Sequence, residues 1–95
     1  MKIYDENNNL VDINNIEVVE QQQARQYINP DDIVLELGAR YGTVSCMINS
    51  KLKNKTLQVS VEPDDRVWDA LETNKKNNKC EFNIVKGFIS KKKLS

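Results

Sequence analysis

The stretch Ile33-Val34-Leu35-Glu36-Leu37-Gly38-Ala39-Arg40-Tyr41-Gly42-Thr43 decides the fold of this chain. It begins with a short run of aliphatic residues, which is typical of a strand buried on both faces of a parallel sheet. Gly38 permits a tight turn, and the apolar residues after Gly42 return at helical spacing. The stretch therefore predicts a strand, a glycine turn and the start of a helix, and open parallel sheets bind their ligands at such a turn.

The alternation of strand and helix continues on both sides of this stretch. Before it, the pattern predicts a small hairpin over residues 2–13 and a helix over residues 16–28 that Asn29-Pro30 ends. After it, the pattern predicts a strand over residues 57–61, a helix that begins at Pro63-Asp64-Asp65, and a strand over residues 82–85. The acids of that helix start are explained by the helix dipole.

This order of elements predicts an α/β fold. Short connections between parallel strands are right-handed crossovers, so the three strands form a parallel sheet ordered 3-2-1, which is half of a doubly wound sheet. We divide the chain into an N-terminal hairpin and helix, residues 1–30, and a truncated sheet domain, residues 31–95.

The composition excludes several classes of function. The 95 residues carry 14 Lys+Arg and 14 Asp+Glu, so the formal net charge is zero, and there is no His. A nucleic-acid partner is excluded because phosphate contacts need an excess of Lys and Arg. Without His we expect no metal site and no Ser-His-Asp site. The start of the chain lacks the apolar run of a signal peptide, and no apolar stretch is long enough for a membrane span, so we expect a soluble protein with no membrane partner.

The two cysteines, Cys46 and Cys80, have no C-x-x-C spacing and are too few for the disulfide framework of a small secreted protein. We therefore expect an intracellular, reducing compartment and a cytoplasmic protein. Cys46 falls on the apolar side of the helix after Gly42, where we expect a small core residue with no partner to make it nucleophilic. Asparagine is frequent but scattered among the apolar positions, and we interpret it as a compositional bias without a function of its own.

A carboxylate lies at the end of the second predicted strand. Glu62 follows Gly42 by twenty residues and precedes Pro63, where it can accept hydrogen bonds from both hydroxyls of a bound ribose. A dinucleotide fingerprint would have glycines at positions 38, 40 and 43, but Arg40 and Thr43 occupy two of these positions, so NAD and FAD are disfavoured.

The carboxylates of Glu36 and Glu62 also have a purely structural interpretation. In that interpretation Glu36 caps the backbone N–H groups of the glycine turn, and Glu62 caps the helix that follows it.

Two motifs resemble a known family. Residues 34–42, Val-Leu-Glu-Leu-Gly-Ala-Arg-Tyr-Gly, resemble the first motif of S-adenosylmethionine-dependent methyltransferases, and residues 59–63, Val-Ser-Val-Glu-Pro, are similar to the second strand of the FkbM-type group. The resemblance covers about residues 31–90 and implies a Rossmann-like fold with S-adenosylmethionine as the cofactor. It implies that the methionine part is cradled by Gly38, Ala39 and Gly42, that Glu36 lies near the cofactor's amino group, that Glu62 holds the ribose, and that Phe88 and Ile89 contact the adenine.

The chain departs from this family at two points. Arg40 stands where the family usually has Gly or Asn, and its side chain could pair with the cofactor carboxylate or obstruct it. Methyltransferases of this kind also continue beyond a third strand, so we expect a truncated domain. The first strand, which is normally central, then becomes an exposed apolar sheet edge that a homo-oligomer or a partner chain covers.

Two functions follow as expectations. The resemblance implies the cofactor-binding portion of a methyltransferase, acting on an oxygen of a small molecule or sugar once the missing half is supplied. The alternative is an inactive relic or a protein-interaction module that keeps the half-sheet.

Overall fold

The computed structural model describes residues 1–88 and shows a three-stranded parallel sheet with helices. The elements in chain order are α1 (Val18–Tyr27), β1 (Val34–Leu37), α2 (Thr43–Lys51), β2 (Gln58–Glu62), a 3-10 turn (Asp65–Val67), α3 (Trp68–Asn77) and β3 (Asn83–Lys86). All three predicted strands are present, and β2 lies between β1 and β3. The predicted Rossmann-like α/β fold and its strand order are confirmed.

All three helices cover the same face of the sheet. Ala24 of α1 packs with residues of α2 and with Val34 of β1, and Leu71 of α3 packs with Phe82 and Ile84 near β3. The register pairs Val34 with Gln58 and Ile84 with Ser60. Because Gln58 and Ser60 are two residues apart on β2, the side chains of Val34 and Ile84 lie on the same face of the sheet. In a sheet ordered 3-2-1, two right-handed crossovers place their helices, here α2 and α3, on the same face of the sheet.

The opposite face of the sheet, which we call the open face, has no covering element among residues 1–88. On β1, Leu35 and Leu37 are 57% and 69% exposed, whereas strand β1 was predicted to be buried on both faces. That prediction is wrong, because an aliphatic run does not show whether both faces have a neighbour. Alternation along the strands places Ile33, Leu35, Leu37, Leu57, Val59, Val61, Asn83 and Val85 on the open face, although Val61 of the central strand is only 3% exposed.

The covered face has a polar layer beneath α2. The Gln58 side chain donates to the Ser45 carbonyl at 3.0 Å, and Asn49 donates to the Gln58 side-chain oxygen at 3.0 Å and accepts from the Glu81 N–H at 2.9 Å. These side chains are almost fully buried. Buried polar groups are tolerated when they are hydrogen-bonded, as these are. Their hydrogen bonds connect α2 to β2 and to the loop before β3.

Asparagine side chains also hold the N-terminal segment in place. The predicted hairpin is reduced to a single antiparallel bridge between Tyr4 and Leu10. Asn74, which is fully buried, donates to the carbonyls of Tyr4 and Tyr41 at 2.8 Å each, and Asn78 donates to the Lys2 carbonyl at 2.8 Å. The interpretation of asparagine as a mere compositional bias is therefore wrong at these positions.

Cys46 and Cys80 form a disulfide, with their Cα atoms 5.7 Å apart. Cys46 is a buried core residue as expected, but its pairing with Cys80 was not predicted. Both cysteines pack against the cluster that contains Leu71 and Phe82, and this tertiary packing brings together two residues that are 34 positions apart. The argument from the cysteines to a reducing compartment therefore no longer holds.

The second crossover helix starts later than predicted. Asp64 is extended and caps the 3-10 turn by accepting from the Arg66 N–H, and the α-helix begins at Trp68 rather than at Pro63. Within residues 1–88, no helix has both the length and the apolar character that a membrane crossing requires.

Candidate functional site

The glycine turn lies at the carboxyl ends of β1 and β2. Gly38 and Gly42 have φ values of +82° and +93°, in the left-handed region that glycine tolerates best, and Arg40 between them has a φ of +52°. A Cβ at Gly38 would meet nothing within 4 Å, whereas a Cβ at Gly42 would lie 3.0 Å from Leu71. Gly38 therefore faces open space, while Gly42 serves the packing of α2 against α3.

Glu62 connects the two loops that follow β1 and β2. One carboxylate oxygen accepts from the Arg40 N–H at 2.6 Å, and the other accepts from the Asp64 N–H at 2.8 Å. Its backbone carbonyl accepts from the Trp68 indole at 2.7 Å and from the Gly87 N–H at 3.0 Å. Only 4% of Glu62 is exposed, so it is a buried link between loops rather than the solvent-facing carboxylate expected at a strand end.

The structural interpretation of the two acids is thus partly realised, but Glu62 also takes the role that was expected of Glu36. Glu62 caps the glycine turn through Arg40 as well as the loop before α3. Glu36 binds side chains instead of the turn, since one of its oxygens accepts from the hydroxyls of Ser45 at 2.5 Å and Ser60 at 2.8 Å. Burial raises the pKa of Glu36, and the two hydroxyls act in the opposite direction.

Replacing Glu36 by Gln is expected to alter the pH dependence of stability. Because the pKa of Glu36 is raised in the folded state, its contribution to stability is fully present below the unfolded pKa and is lost as pH rises through the folded pKa. The side-chain amide of Gln is neutral, so the Glu36→Gln variant does not lose stability in this way as pH rises. The difference in unfolding free energy, Glu36→Gln minus parent, should therefore increase between about pH 4 and neutral pH in urea denaturation.

The matched control is Glu20→Gln, which changes an exposed carboxyl of α1 in the same way. A Glu36→Gln difference that stays constant over this pH range, as expected for the control, would contradict the assignment of a raised pKa to the Glu36 carboxyl.

A cavity of about 230 Å³ adjoins Glu62. Its lining is charged and consists of Glu6, Arg40, Tyr41, Glu62, Asp64, Arg66 and Val67. The Arg66 guanidinium lies 2.8 Å from Asp64, and its hydrogen bonds lower the pKa of Asp64 to about 2. The Tyr41 hydroxyl donates to Glu6 at 2.5 Å, which raises the pKa of Tyr41.

The sequence-predicted site residues divide between two hollows. Arg40 and Glu62 line the cavity, whereas Glu36 and Gly38 line a groove of about 490 Å³ between α1 and β1. Ala39 and Gly42 are buried and line neither hollow. Phe88 is 77% exposed and does not line the cavity, and Ile89 lies outside the described residues.

The sequence analysis missed five residues of the cavity. Asp64 was attributed to the helix dipole, and Glu6, Tyr41, Arg66 and Val67 were not assigned to a site. Asp64 and Arg66 lie close to Glu62 in the sequence, and this proximity could have indicated them. No local signal indicates Glu6, because it reaches the cavity only through the docking of the N-terminal segment on α3.

No family model matches the chain, and no curated protein matches it. Solved structures do match its fold. Precorrin-6y C5,15-methyltransferase from Geobacter metallireducens GS-15 matches with a TM-score of 0.65 and 16% identity over 82% of this chain. P. horikoshii TYW2, solved in complex with MeSAdo, matches with a TM-score of 0.62 and 24% identity over 81% of this chain. The chain spans 40% and 31% of these two proteins, respectively.

Proposed function

We propose that this chain is the S-adenosylmethionine-binding portion of a methyltransferase. The observation that carries the proposal is Glu62, which is held by the Arg40 and Asp64 amides at the carboxyl end of β2, beside a glycine turn with open space above Gly38. The fold is shared with a methyltransferase and with a protein that binds MeSAdo. Ligands of open parallel sheets bind at these strand ends.

The described residues suit the cofactor in three respects. A carboxylate has about four acceptor positions, so each Glu62 oxygen keeps one for a ribose hydroxyl after its bond to the backbone. Gly38 leaves room for a ligand at the turn. Arg40 lines the cavity with its cationic side chain exposed and has no atom within 4 Å of a Cβ placed at Gly38, so it does not obstruct the turn.

The cavity at Glu62 is smaller than the roughly 300–1,000 Å³ of an ordinary ligand pocket. We therefore assign the ribose to the cavity with Glu62 and the methionine part to the groove with Glu36 and Gly38. Phe88 and Ile89 remain candidates for the adenine contact from the family resemblance.

The sulfonium of the bound cofactor supplies the reactive methyl group, so the task of these residues is to bind and orient it. We propose an oxygen of a small molecule or sugar as the methyl acceptor, on the family resemblance alone. Because the chain spans 31–40% of the two structural neighbours, we assign transfer itself to a protein in which this portion is completed.

The experiment that tests the proposal is a calorimetric titration of the folded chain with S-adenosylmethionine and S-adenosylhomocysteine. We expect saturable binding of both compounds. Gly38→Asn fills the space above the turn but keeps a left-handed backbone, which Asn tolerates, and it should weaken binding at least about tenfold.

The matched control is Lys79→Asn, because Lys79 also has a positive φ, +56°, but lies in the loop before β3, at the opposite end of the strands. This variant should bind as the parent does. A folded parent chain that binds neither compound, or a Gly38→Asn variant with parental affinity, would show that this site does not hold the cofactor.

A second function, a protein-interaction module, is favoured by the open face of the sheet. The two functions are compatible, because the glycine turn lies at the strand ends and the open face lies along the strands.

A further inference from the structure

We infer that the N-terminal segment, residues 2–11, forms one wall of the cavity at Glu62 and that Tyr41 holds this wall closed by binding Glu6. The inference rests on the proposed function, since it concerns how the cavity keeps its ligand. Both Glu6 and Tyr41 line the cavity, and the Tyr41 hydroxyl donates to the Glu6 carboxylate at 2.5 Å. Tyr41 belongs to the glycine turn, so this hydrogen bond joins the turn to a segment that is 35 residues away in the sequence.

The position of Glu6 follows from a tight bend in the segment. The Asp5 carboxylate accepts from the N–H groups of Asn7 and Asn9 at 2.9 Å each, and the Asp5 N–H donates to the Asn9 carbonyl at 2.9 Å. An aspartate that bonds to the backbone after it in this way stabilises a turn. Glu6 lies within this bend, so docking of the segment decides whether its carboxylate faces the cavity.

Asn74 attaches the segment to α3 and to the glycine turn at the same time. Its side-chain oxygen accepts from the Tyr4 N–H at 3.0 Å, and its side-chain amide donates to the carbonyls of Tyr4 and Tyr41 at 2.8 Å each. Asn74 is fully buried, so undocking of the segment would leave two of these three hydrogen bonds unmade. Because one buried side chain binds both parts, docking of the segment and the conformation of the glycine turn are coupled.

The Tyr41–Glu6 hydrogen bond attaches the bend itself to the rest of the protein. Within residues 1–88, no other hydrogen bond joins residues 5–9 to a residue outside the segment. Loss of this bond therefore weakens the closure of the cavity wall. A ligand that contacts the closed wall binds this form more tightly, so by linkage it also strengthens docking of the segment.

The experiment titrates the full chain and its variants with S-adenosylhomocysteine in a calorimeter. Tyr41→Phe and Glu6→Ala should each raise the dissociation constant at least about threefold, and the double variant should lose no more, because both changes remove the same hydrogen bond. Glu6→Gln keeps an acceptor for the Tyr41 hydroxyl and should restore the parental affinity. The matched control is Glu81→Ala, since Glu81 is an exposed carboxylate in the loop before β3, at the opposite end of the strands.

Amide hydrogen exchange reports docking of the segment directly. The Tyr4 N–H, which binds Asn74, should exchange faster in Tyr41→Phe than in the parent, and slower in the parent once S-adenosylhomocysteine is bound.

Circular dichroism confirms that each variant is folded, and either single variant suffices because each removes one partner of the same bond. Parental affinity in a folded Tyr41→Phe or Glu6→Ala variant, additive losses in the double variant, a Glu6→Gln variant as weak as Glu6→Ala, or unchanged Tyr4 exchange would overturn this inference and leave the proposed function intact. A folded parent that binds no ligand would contradict the proposed function, and this inference with it.

Discussion

Reduction of the Cys46–Cys80 disulfide is expected to lower the free energy of unfolding by about 4 kcal/mol. The bond closes a loop between residues 34 positions apart, and its loss restores the freedom of that loop in the unfolded chain. A domain of this size is stable by only about 5–15 kcal/mol, so the loss is a large share of the total. Urea denaturation with and without a reductant measures it.

The control for this prediction is the double variant Cys46→Ala/Cys80→Ala, whose urea midpoint should not respond to the reductant. If the parent midpoint is likewise unchanged by the reductant while a thiol assay shows both cysteines free, the disulfide does not stabilise the fold.

Glu62→Ala is expected to lower the free energy of unfolding by about 3 kcal/mol and to abolish cofactor binding. The change removes the acceptor for the Arg40 and Asp64 N–H groups, and each buried donor without a partner costs about 1–3 kcal/mol. The glycine turn and the loop before α3 then lose their connection. Thermal or urea unfolding measures the first effect, and calorimetric titration with S-adenosylmethionine measures the second.

The matched control is Glu72→Ala, since Glu72 forms a surface ion pair with Lys86 at 2.9 Å and exposed pairs contribute little. Equal unfolding free energies for the parent and Glu62→Ala would contradict the role of Glu62 as a link between loops. Loss of stability with retained affinity would contradict the ribose assignment alone.

The arrangement of elements could be predicted because each one carries a local signal. Gly38 and Gly42 mark the turn, Pro30 marks the end of the first helix, and the aliphatic runs mark the strands. Strands that follow each other in the chain usually lie side by side, and with right-handed crossovers this gives the order 3-2-1 for the three strands. These constraints act within a few residues or follow from chirality, so no knowledge of tertiary packing was needed.

The surroundings of each strand could not be predicted in the same way. An aliphatic run such as 33–37 has the same sequence whether its second face meets a helix or nothing. The polar layer around Gln58 and Asn49 is likewise invisible in the sequence, because its partners come from α2, β2 and the loop before β3. Local sequence patterns indicate which secondary structure a segment prefers. Which residues contact that segment is determined by tertiary packing.

The glycine turn and Glu62 lie at the carboxyl ends of β1 and β2 as predicted, but the contacts within this candidate site were not predicted. Spacing alone placed Glu62 at a strand end, and it could not show that both carboxylate oxygens are bound to backbone amides. The pairing of Cys46 with Cys80 was missed for the same reason, since 34 residues separate them. The cofactor roles of Glu36, Gly38, Ala39, Arg40, Gly42, Glu62, Phe88 and Ile89 stay predictions.

The contacts of the N-terminal segment determine when, during synthesis on the ribosome, this segment can dock. Lys2 and Tyr4 find their partners in Asn78 and Asn74, at sequence separations of 76 and 70. Synthesis proceeds from the N-terminus at about 5–20 residues per second, so the first residues made wait several seconds for the helix that holds them. Until α3 emerges, Glu6 cannot reach the cavity, so the first part of the chain to be synthesised cannot take its place before α3 does.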